Sequence, residues 1–372
     1  MRYKLGDIAD ITMGQSPKSE YYNSDGEGVP FLQGNRTFGF RYPTFDTYTT
    51  LTTKLAEAGD VIMSVRAPVG DLNITPVSMC LGRGVCSIRM KNGNQDFLFY
   101  LMKHYAPQLI NKESGTVFGS VNRNDISSLE VDIPQDADLQ NKIGRFLAML
   151  DEKIELNMAI NKNLEQQAQA IFNNSCDASS DQQPFTSLIR VLGGGTPKTG
   201  NPEYWNGSIP FFTPKDVGAP YVFQTEKHIT ENGLSNCNSR LYPTNTSFVT
   251  ARGTVGKISL AGMPMAMNQS CYALASDTVD PILVYFYTLR AVDSLKHKAS
   301  GAVFDAIVTR DFDTEIISVI PETESRTVLS IIKPMMKIIH TNTEENLRLS
   351  SLRDSLLPKL MSGELDIANI DI

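Results

Sequence analysis

The 372-residue chain is one unit written twice, and that duplication narrows its fold more than any other property. Leu5-Gly6-Asp7-Ile8 leads to Met13-Gly14-Gln15-Ser16-Pro17-Lys18, as Leu188-Ile189-Arg190-Val191 leads to Gly193-Gly194-Gly195-Thr196-Pro197-Lys198. Tyr21-Tyr22-Asn23 and Val29-Pro30-Phe31-Leu32 answer to Tyr204-Trp205-Asn206 and Ile209-Pro210-Phe211-Phe212. Val61-Ile62-Met63-Ser64-Val65-Arg66-Ala67-Pro68-Val69-Gly70 answers to Ser247-Phe248-Val249-Thr250-Ala251-Arg252-Gly253-Thr254-Val255-Gly256. Ser114-Gly115-Thr116-Val117-Phe118 answers to Ser300-Gly301-Ala302-Val303-Phe304, and each half closes on Ile133-Pro134 or Ile320-Pro321. Arg66 and Arg252 stand 186 residues apart, half the chain. Several blocks matched in one order exclude chance.

Within each half the pattern is mixed. Short β-rich runs such as 61–65 and 85–90 are bounded by Gly, Pro and Asn, as strands are. Residues 97–109 and 282–295 carry apolar residues at helical spacing. Each half therefore opens with an α+β globular segment, 1–136 and 185–321.

After each Ile-Pro the character changes. Ile143, Leu147, Leu150, Ile154, Asn157, Asn161, Leu164, Ala168 and Ile171 alternate spacings of four and three, the seam of a coiled coil. The second copy runs Val328, Ile332, Met335, Ile339, Asn342, Asn346, Leu349, Leu352 and Leu356, with one irregularity near its end. Pro334 falls where it would kink or delay that helix. The helices are placed at 137–175 and 322–363, about 35 residues each and so about 50 Å long. The polar stretch 176–184 reads as a linker, Gly363 as a helix stop and 364–372 as a tail. Asn157 and Asn161 match Asn342 and Asn346 in the middle of the two seams. Buried asparagines set register at a cost in stability, and an antiparallel pair of helices would bring the four together.

Chemistry-bearing patterns are sparse. The five cysteines and four histidines are scattered, with no CxxC pair, so no metal site is expected. The run 193–199 has Pro197 where a phosphate-binding loop needs glycine before its lysine. Asn201-Pro202-Glu203-Tyr204-Trp205 departs from the methyltransferase Asn-Pro-Pro-aromatic motif at Glu203. No catalytic residue is assigned. No apolar run approaches the roughly 20 residues of a membrane span, and residues 1–7 lack the apolar stretch of a secretory signal. A cytoplasmic protein without membrane contact is expected. Net charge is −7, which argues against a protein that coats DNA through phosphate neutralisation.

The order of globular segment, helix, globular segment, helix resembles the specificity subunit of type I restriction-modification enzymes. The resemblance spans essentially the whole chain. It rests on Leu5-Gly6-Asp7-Ile8 with Gly14 and Pro17, on Gly194-Gly195-Thr196-Pro197 with Ile209-Pro210-Phe211, and on the Arg66 and Arg252 blocks. Its most specific signature is the ending Leu352-Arg353-Asp354-Ser355-Leu356-Leu357-Pro358-Lys359-Leu360-Met361-Ser362-Gly363-Glu364. Residues 166–172 match more loosely. The resemblance implies two target-recognition domains on an antiparallel coiled coil with pseudo-two-fold symmetry. Each domain would read half of a bipartite double-stranded DNA site, with the helices setting the spacing. A coil of about 50 Å allows at most some 15 base pairs at ~3.4 Å each. It also implies two methyltransferase subunits, which supply the S-adenosylmethionine chemistry, and translocating restriction subunits. No cofactor is expected in this chain. With partners sharing the phosphate contacts, the isolated chain should bind DNA weakly and the assembly tightly.

Comparison of the copies then sorts the candidate DNA contacts. Residues identical in both halves cannot distinguish two half-sites, so Lys18/Lys198 and Arg66/Arg252 are assigned to phosphate or scaffold, with a structural salt bridge open for the arginines. Positions that differ are candidates for base edges: Gln33/Thr213, Asn35/Lys215, Arg36/Asp216, Asp71/Lys257 and Arg83/Gln269. Two other readings remain at this point. One is a stand-alone methyltransferase or nuclease. The other is an adaptor joining two protein partners, which the acidic balance by itself favours. A variant keeps the family but serves a complex that methylates without cutting.

Overall fold

The computed structural model describes residues 1–111, 119–218, 220–298 and 306–367. The matched blocks 114–118 and 300–304 therefore lie outside the described residues. The chain forms two compact units, Met1–Glu155 with Leu347–Ile372, and Leu156–Asn346. Among the described residues no helix is long and apolar enough to cross a membrane.

In the first unit a four-stranded antiparallel sheet runs in the order Ala9–Met13, Val85–Met90, Val61–Ser64, Leu72–Ile74. Val61–Ser64 is buried on both faces because helix α1 (Gln95–Asn111) covers one side and a second, five-stranded sheet the other. In that second sheet Phe31 pairs in parallel with Cys80. The six residues Phe97, Leu98, Phe99, Tyr100, Leu101 and Met102 are all buried. A helix apolar all round needs cover on every side. The sheet supplies part of it. Ile143, Leu147, Ala148, Leu357, Leu360 and Met361 of the two long helices supply the rest. Each side chain so removed from water contributes about 1.5–3 kcal/mol. Gly144 allows the close approach: a Cβ there would stand 2.4 Å from the Phe97 nitrogen.

The second unit repeats this plan. Arg190–Gly193, Cys271–Ala275, Ser247–Thr250 and Ile258–Ala261 form the sheet, extended by Tyr221–Val222. Phe211 pairs in parallel with Ala266, as Phe31 does with Cys80. Helix α3 (Pro281–Lys298) is buried from Ile282 to Thr288.

The two long helices are α2 (Ala137–Ala178) and α4 (Glu322–Ser362). At 42 and 41 residues they reach about 60 Å, longer than their apolar periodicity predicts. The expected linker 176–184 is mostly structured. Cys176 is buried within α2, and Gln182–Pro184 forms a strand against Ile316–Ser318, as Arg2–Lys4 does against Glu130–Asp132. Three residues, 179–181, remain between helix and strand, and the second copy begins before 185. Polarity misled here because these short strands lie at an edge and need no apolar face.

Ile143, Leu147, Ile154, Asn157, Asn161 and Ala168 line the buried face of α2, with Phe172 and Cys176 continuing it in place of Ile171. On α4 the buried face runs Val328, Ile332, Met336, Ile339, then Arg353, Leu357 and Leu360. Leu352 is 45% exposed; the seam passes to Arg353, which has a buried partner. Pro334 neither ends nor delays α4, which starts at Glu322, about three turns earlier. The helix stops at Ser362, with Gly363 at φ +76°, the left-handed conformation that suits glycine.

Within the second unit Asn157 Nδ2 donates to Asn346 Oδ1 at 2.9 Å and to Glu345 Oε2 at 2.7 Å. Asn342 Nδ2 donates to Asn161 Oδ1 at 2.9 Å. Number rises along one helix as it falls along the other, so the helices pair antiparallel.

Candidate nucleic-acid interface

In the first unit four loops meet at one edge of the sheets. Residues 14–18 follow Ala9–Met13, 33–37 follow Val29–Leu32, 65–71 join Val61–Ser64 to Leu72–Ile74, and 82–84 join Met79–Leu81 to Val85–Met90. Backbone hydrogen bonds tie them together. Gly14 N donates to Val85 O (3.0 Å), Gly82 N to Leu32 O (2.7 Å), and Val65 N to Gly84 O (2.9 Å). A Cβ on Gly14 would lie 2.0 Å from Gly82 O, so any other residue would push the first loop off the last.

The second unit builds the same rim from 194–198, 213–216, 251–257 and 268–270. Asn268 N donates to Phe212 O (3.0 Å) and Ala251 N to Ser270 O (2.8 Å). A Cβ on Gly194 would lie 2.1 Å from Asn268 O. One hydroxyl shapes the third loop in each copy. Ser64 Oγ donates to Pro68 O (2.7 Å) and accepts from Asp71 N (3.0 Å). Thr250 Oγ1 donates to Thr254 O and accepts from Lys257 N (3.0 Å). The turn then closes on Gly70 and Gly256, at φ +92° and +71°. The paired hydroxyls stood in the matched blocks, and that recurrence was a signal the base-edge sorting passed over.

The rim gathers the candidate residues of each copy but gives them unequal freedom. Arg66, Arg83, Lys198, Arg252 and Lys257 are exposed and form no ion pair among the described residues. Arg66 and Arg252 sit at equivalent bridges, to Ser120 and Ala306. Lys18 lies 3.7 Å from Glu20 with both side chains mostly in solvent, a weak pair. Gln33 is exposed, its backbone packed on Gly82 and Gly84.

Other candidates are engaged within the protein. Asn35 Nδ2 donates to Asp71 Oδ2 at 2.5 Å, so two of the differing positions pair with each other. Arg36 Nη2 donates to both Asp46 oxygens, at 2.9 and 2.7 Å, and that hydrogen bonding holds the Asp46 carboxyl below its ordinary range. Gln269 accepts from the Thr196 hydroxyl. Asp216 caps its own turn. It accepts from Thr213 N and Oγ1, both at 2.7 Å, and from Glu226 N at 2.8 Å, while Lys215 projects beside Glu226 at 3.3 Å.

Sequence reasoning missed Lys296. From α3 its ammonium donates to Gly256 O at 2.6 Å, and burial followed by the nearby Lys257 charge lowers its pKa. Burial pushes the Cys86, Cys176 and Cys271 thiols up to about 12, which keeps them protonated.

Comparison with known proteins places this architecture. The family model described as "Type I restriction modification DNA specificity domain" matches twice, over residues 1–166 and 185–350. A putative type I restriction enzyme MjaX specificity subunit from Methanocaldococcus jannaschii is 38% identical over 165 residues, covering 44% of this chain and 39% of that protein. The match thus spans about two fifths of that relative's length. The type I restriction enzyme HindI specificity subunit of Haemophilus influenzae is 24% identical over 360 residues, covering 73% of this chain and 77% of that one. In fold, the chain is similar to the S subunit of a type I restriction-modification system from M. genitalium, with TM-score 0.64, 14% identity, and coverage of 97% and 95%.

Proposed function

The chain belongs to the type I restriction modification DNA specificity family, carrying its domain twice, and on that premise we propose that it reads a bipartite double-stranded DNA target, one half per domain. One observation carries the reading. The four-loop rim is built twice, with equivalent backbone hydrogen bonds tying its second and third loops to the fourth, and different side chains stand on it at the differing positions. A common frame with exchangeable contacts is what two distinct half-sites require.

On this reading the chain has no catalytic centre. Two methyltransferase subunits bring S-adenosylmethionine and its chemistry, and restriction subunits join for translocation and cutting, in the cytoplasm. The long helices offer a surface for such partners. Ile331 and Ile338 stand seven residues apart on α4, and Leu352 fourteen further on with Glu345 between; the three are 43%, 46% and 45% exposed. Met149 and Leu156 on α2 have the same spacing, at 46% and 56%. A heptad stripe left in water suits a partner helix.

The net charge of −7 favours the adaptor reading instead, and one experiment separates the two. The chain is co-expressed with its cognate methyltransferase subunit and the methylome is sequenced. A single new bipartite motif, lost when this chain is deleted, supports DNA recognition. An unchanged methylome, with the methyltransferase active beside another specificity subunit, favours the adaptor.

A further inference from the structure

Arg41 belongs to the loop that carries Asn35 and Arg36, yet its side chain leaves the rim and is 2% exposed. Its guanidinium faces Asp96 of α1 at 3.6 Å, and Glu155 and Glu152 of α2 at 3.7 and 3.9 Å. Nε and Nη1 are buried without a hydrogen-bond partner. A guanidinium desolvated so far is retained only through the surrounding carboxylates, and losing them would leave an uncompensated charge. Burial raises the Asp96 and Glu155 carboxyls, and Arg41 opposes that rise in both.

Neighbouring residues of the loop are held as firmly. Arg41 O accepts from Ile74 N at 2.7 Å, and the Asn73 side chain brackets Gly39, accepting from its nitrogen and donating to its oxygen, both at 3.0 Å. The Phe40 ring lies 5.9 Å from the Lys103 ammonium and 6.0 Å from the Arg353 guanidinium of α4. Residues 39–41 are thus bolted to the helices and to the strand Leu72–Ile74 while 33–37 stand on the rim.

The second copy joins its loop to its helix with other chemistry. Arg41 O accepts from Ile74 N as Pro220 O accepts from Leu260 N, so Tyr221 stands one residue beyond the counterpart of Arg41, and the helix offset that carries Asn157 to Asn342 carries Glu155 to His340. Tyr221 and His340 are in edge contact, their ring centroids 4.9 Å apart, and a His340 ring nitrogen lies 2.8 Å from Gly262 O. A side chain one residue along takes the place of the guanidinium against the helix.

We propose that Arg41 and Tyr221 are positioning residues for specificity, each setting its own recognition loop against its helix so that losing one degrades the reading of one half-site alone. The inference rests on the bipartite reading above. The test is the methylome of the methyltransferase assembly carrying the wild-type chain, Arg41→Met, Arg41→Lys, Glu155→Gln or Tyr221→Leu. Arg41→Met should lower base discrimination in one half of the motif by about tenfold, the size of one weakened base contact. The other half should stay intact, and Arg41→Lys should restore most of the loss. Tyr221→Leu should degrade the opposite half. Should Arg41→Met be insoluble, Glu155→Gln interrogates the same joint with the arginine in place and should blur the same half. Equal loss in both halves, the mark of a general packing role, would overturn the inference. So would an unaltered motif in soluble Arg41→Met. A wild-type assembly that yields no bipartite motif overturns the functional reading itself.

Discussion

Asp151 and Arg353 form a buried ion pair: Arg353 Nη1 on α4 donates to Asp151 Oδ1 on α2 at 2.5 Å, with the two side chains 8% and 0% exposed. Tyr100 Oη donates to the other carboxylate oxygen at 2.8 Å, and Lys103 Nζ lies 3.8 Å away. Burial together with the Asp151 charge raises the Tyr100 pKa, while burial lowers that of Lys103 against the pull of Asp151. The equivalent positions of the second copy hold Met336 and Ala168, both fully buried in an apolar cluster.

The molecule thus contains its own control. Removing one partner of a buried pair leaves the other uncompensated, which costs about 3–5 kcal/mol. Asp151→Met and Arg353→Ala alone are each expected to destabilise the first unit by that amount. Together they install the second copy's solution and should recover most of the loss. Urea denaturation of the four proteins closes the cycle. Additive losses would mean that the pair is not coupled.

The four seam asparagines are expected to cost stability and to fix register. Replacing Asn157, Asn161, Asn342 and Asn346 with leucine should raise the melting temperature of the helix pair and allow it to slip. Engineered cysteines on the facing seams would read the register, one crosslink in the parent and several in the variant. A single retained crosslink, with unchanged melting, would contradict the role assigned to them.

Arg83 and Lys198 differ in expected signature. Arg83→Ala should cost roughly 1–3 kcal/mol at one base position and relax it, while Lys198→Ala should weaken all sequences alike and reduce the salt slope by about one. Titrations of the assembled complex against variant sites over a salt series distinguish them. Asn35, tied to Asp71, should need Asp71 changed before its own loss registers fully.

Glu165 supplies a pH signature. Burial raises its carboxyl pKa, opposed by the hydrogen bond it accepts from Tyr285 Oη at 3.0 Å. A folded-state pKa above the unfolded one gives stability that is full below the unfolded pKa and lost as pH rises through the folded pKa. Glu165→Gln keeps an acceptor for Tyr285 and removes the ionised state. Its melting temperature should exceed wild type at pH 7 and fall back toward it near pH 4. A constant difference across that range would exclude the mechanism.

Duplication made most of the fold readable, because Arg66 and Arg252 align in sequence before any contact is known. The coiled-coil periodicity located both helices for the same reason. It failed at Leu352, since heptad spacing carries no trace of Asp151, some 200 residues away, which draws Arg353 inward. It also stopped short of Ala178 and missed the strand Gln182–Pro184, because an edge strand three residues long has no apolar periodicity. At the rim, sorting by identity and difference picked residues on loops that the structure brings together. It gave no warning that Asn35 meets Asp71 or that Asp216 caps its own turn, as those pairings depend on loop geometry. Arg41 looked like any loop arginine, and only its burial against α2 sets it apart.

The account stands or falls on whether each domain reads its own half of the target. The direct measurement exchanges residues 1–136 for the corresponding segment of another family member, leaves the helices and second domain untouched, and sequences the methylome of the assembled complex. One half of the motif should change to that of the donor while the other half and the spacer stay as they were. A motif unchanged by the exchange, or altered in both halves at once, would contradict it.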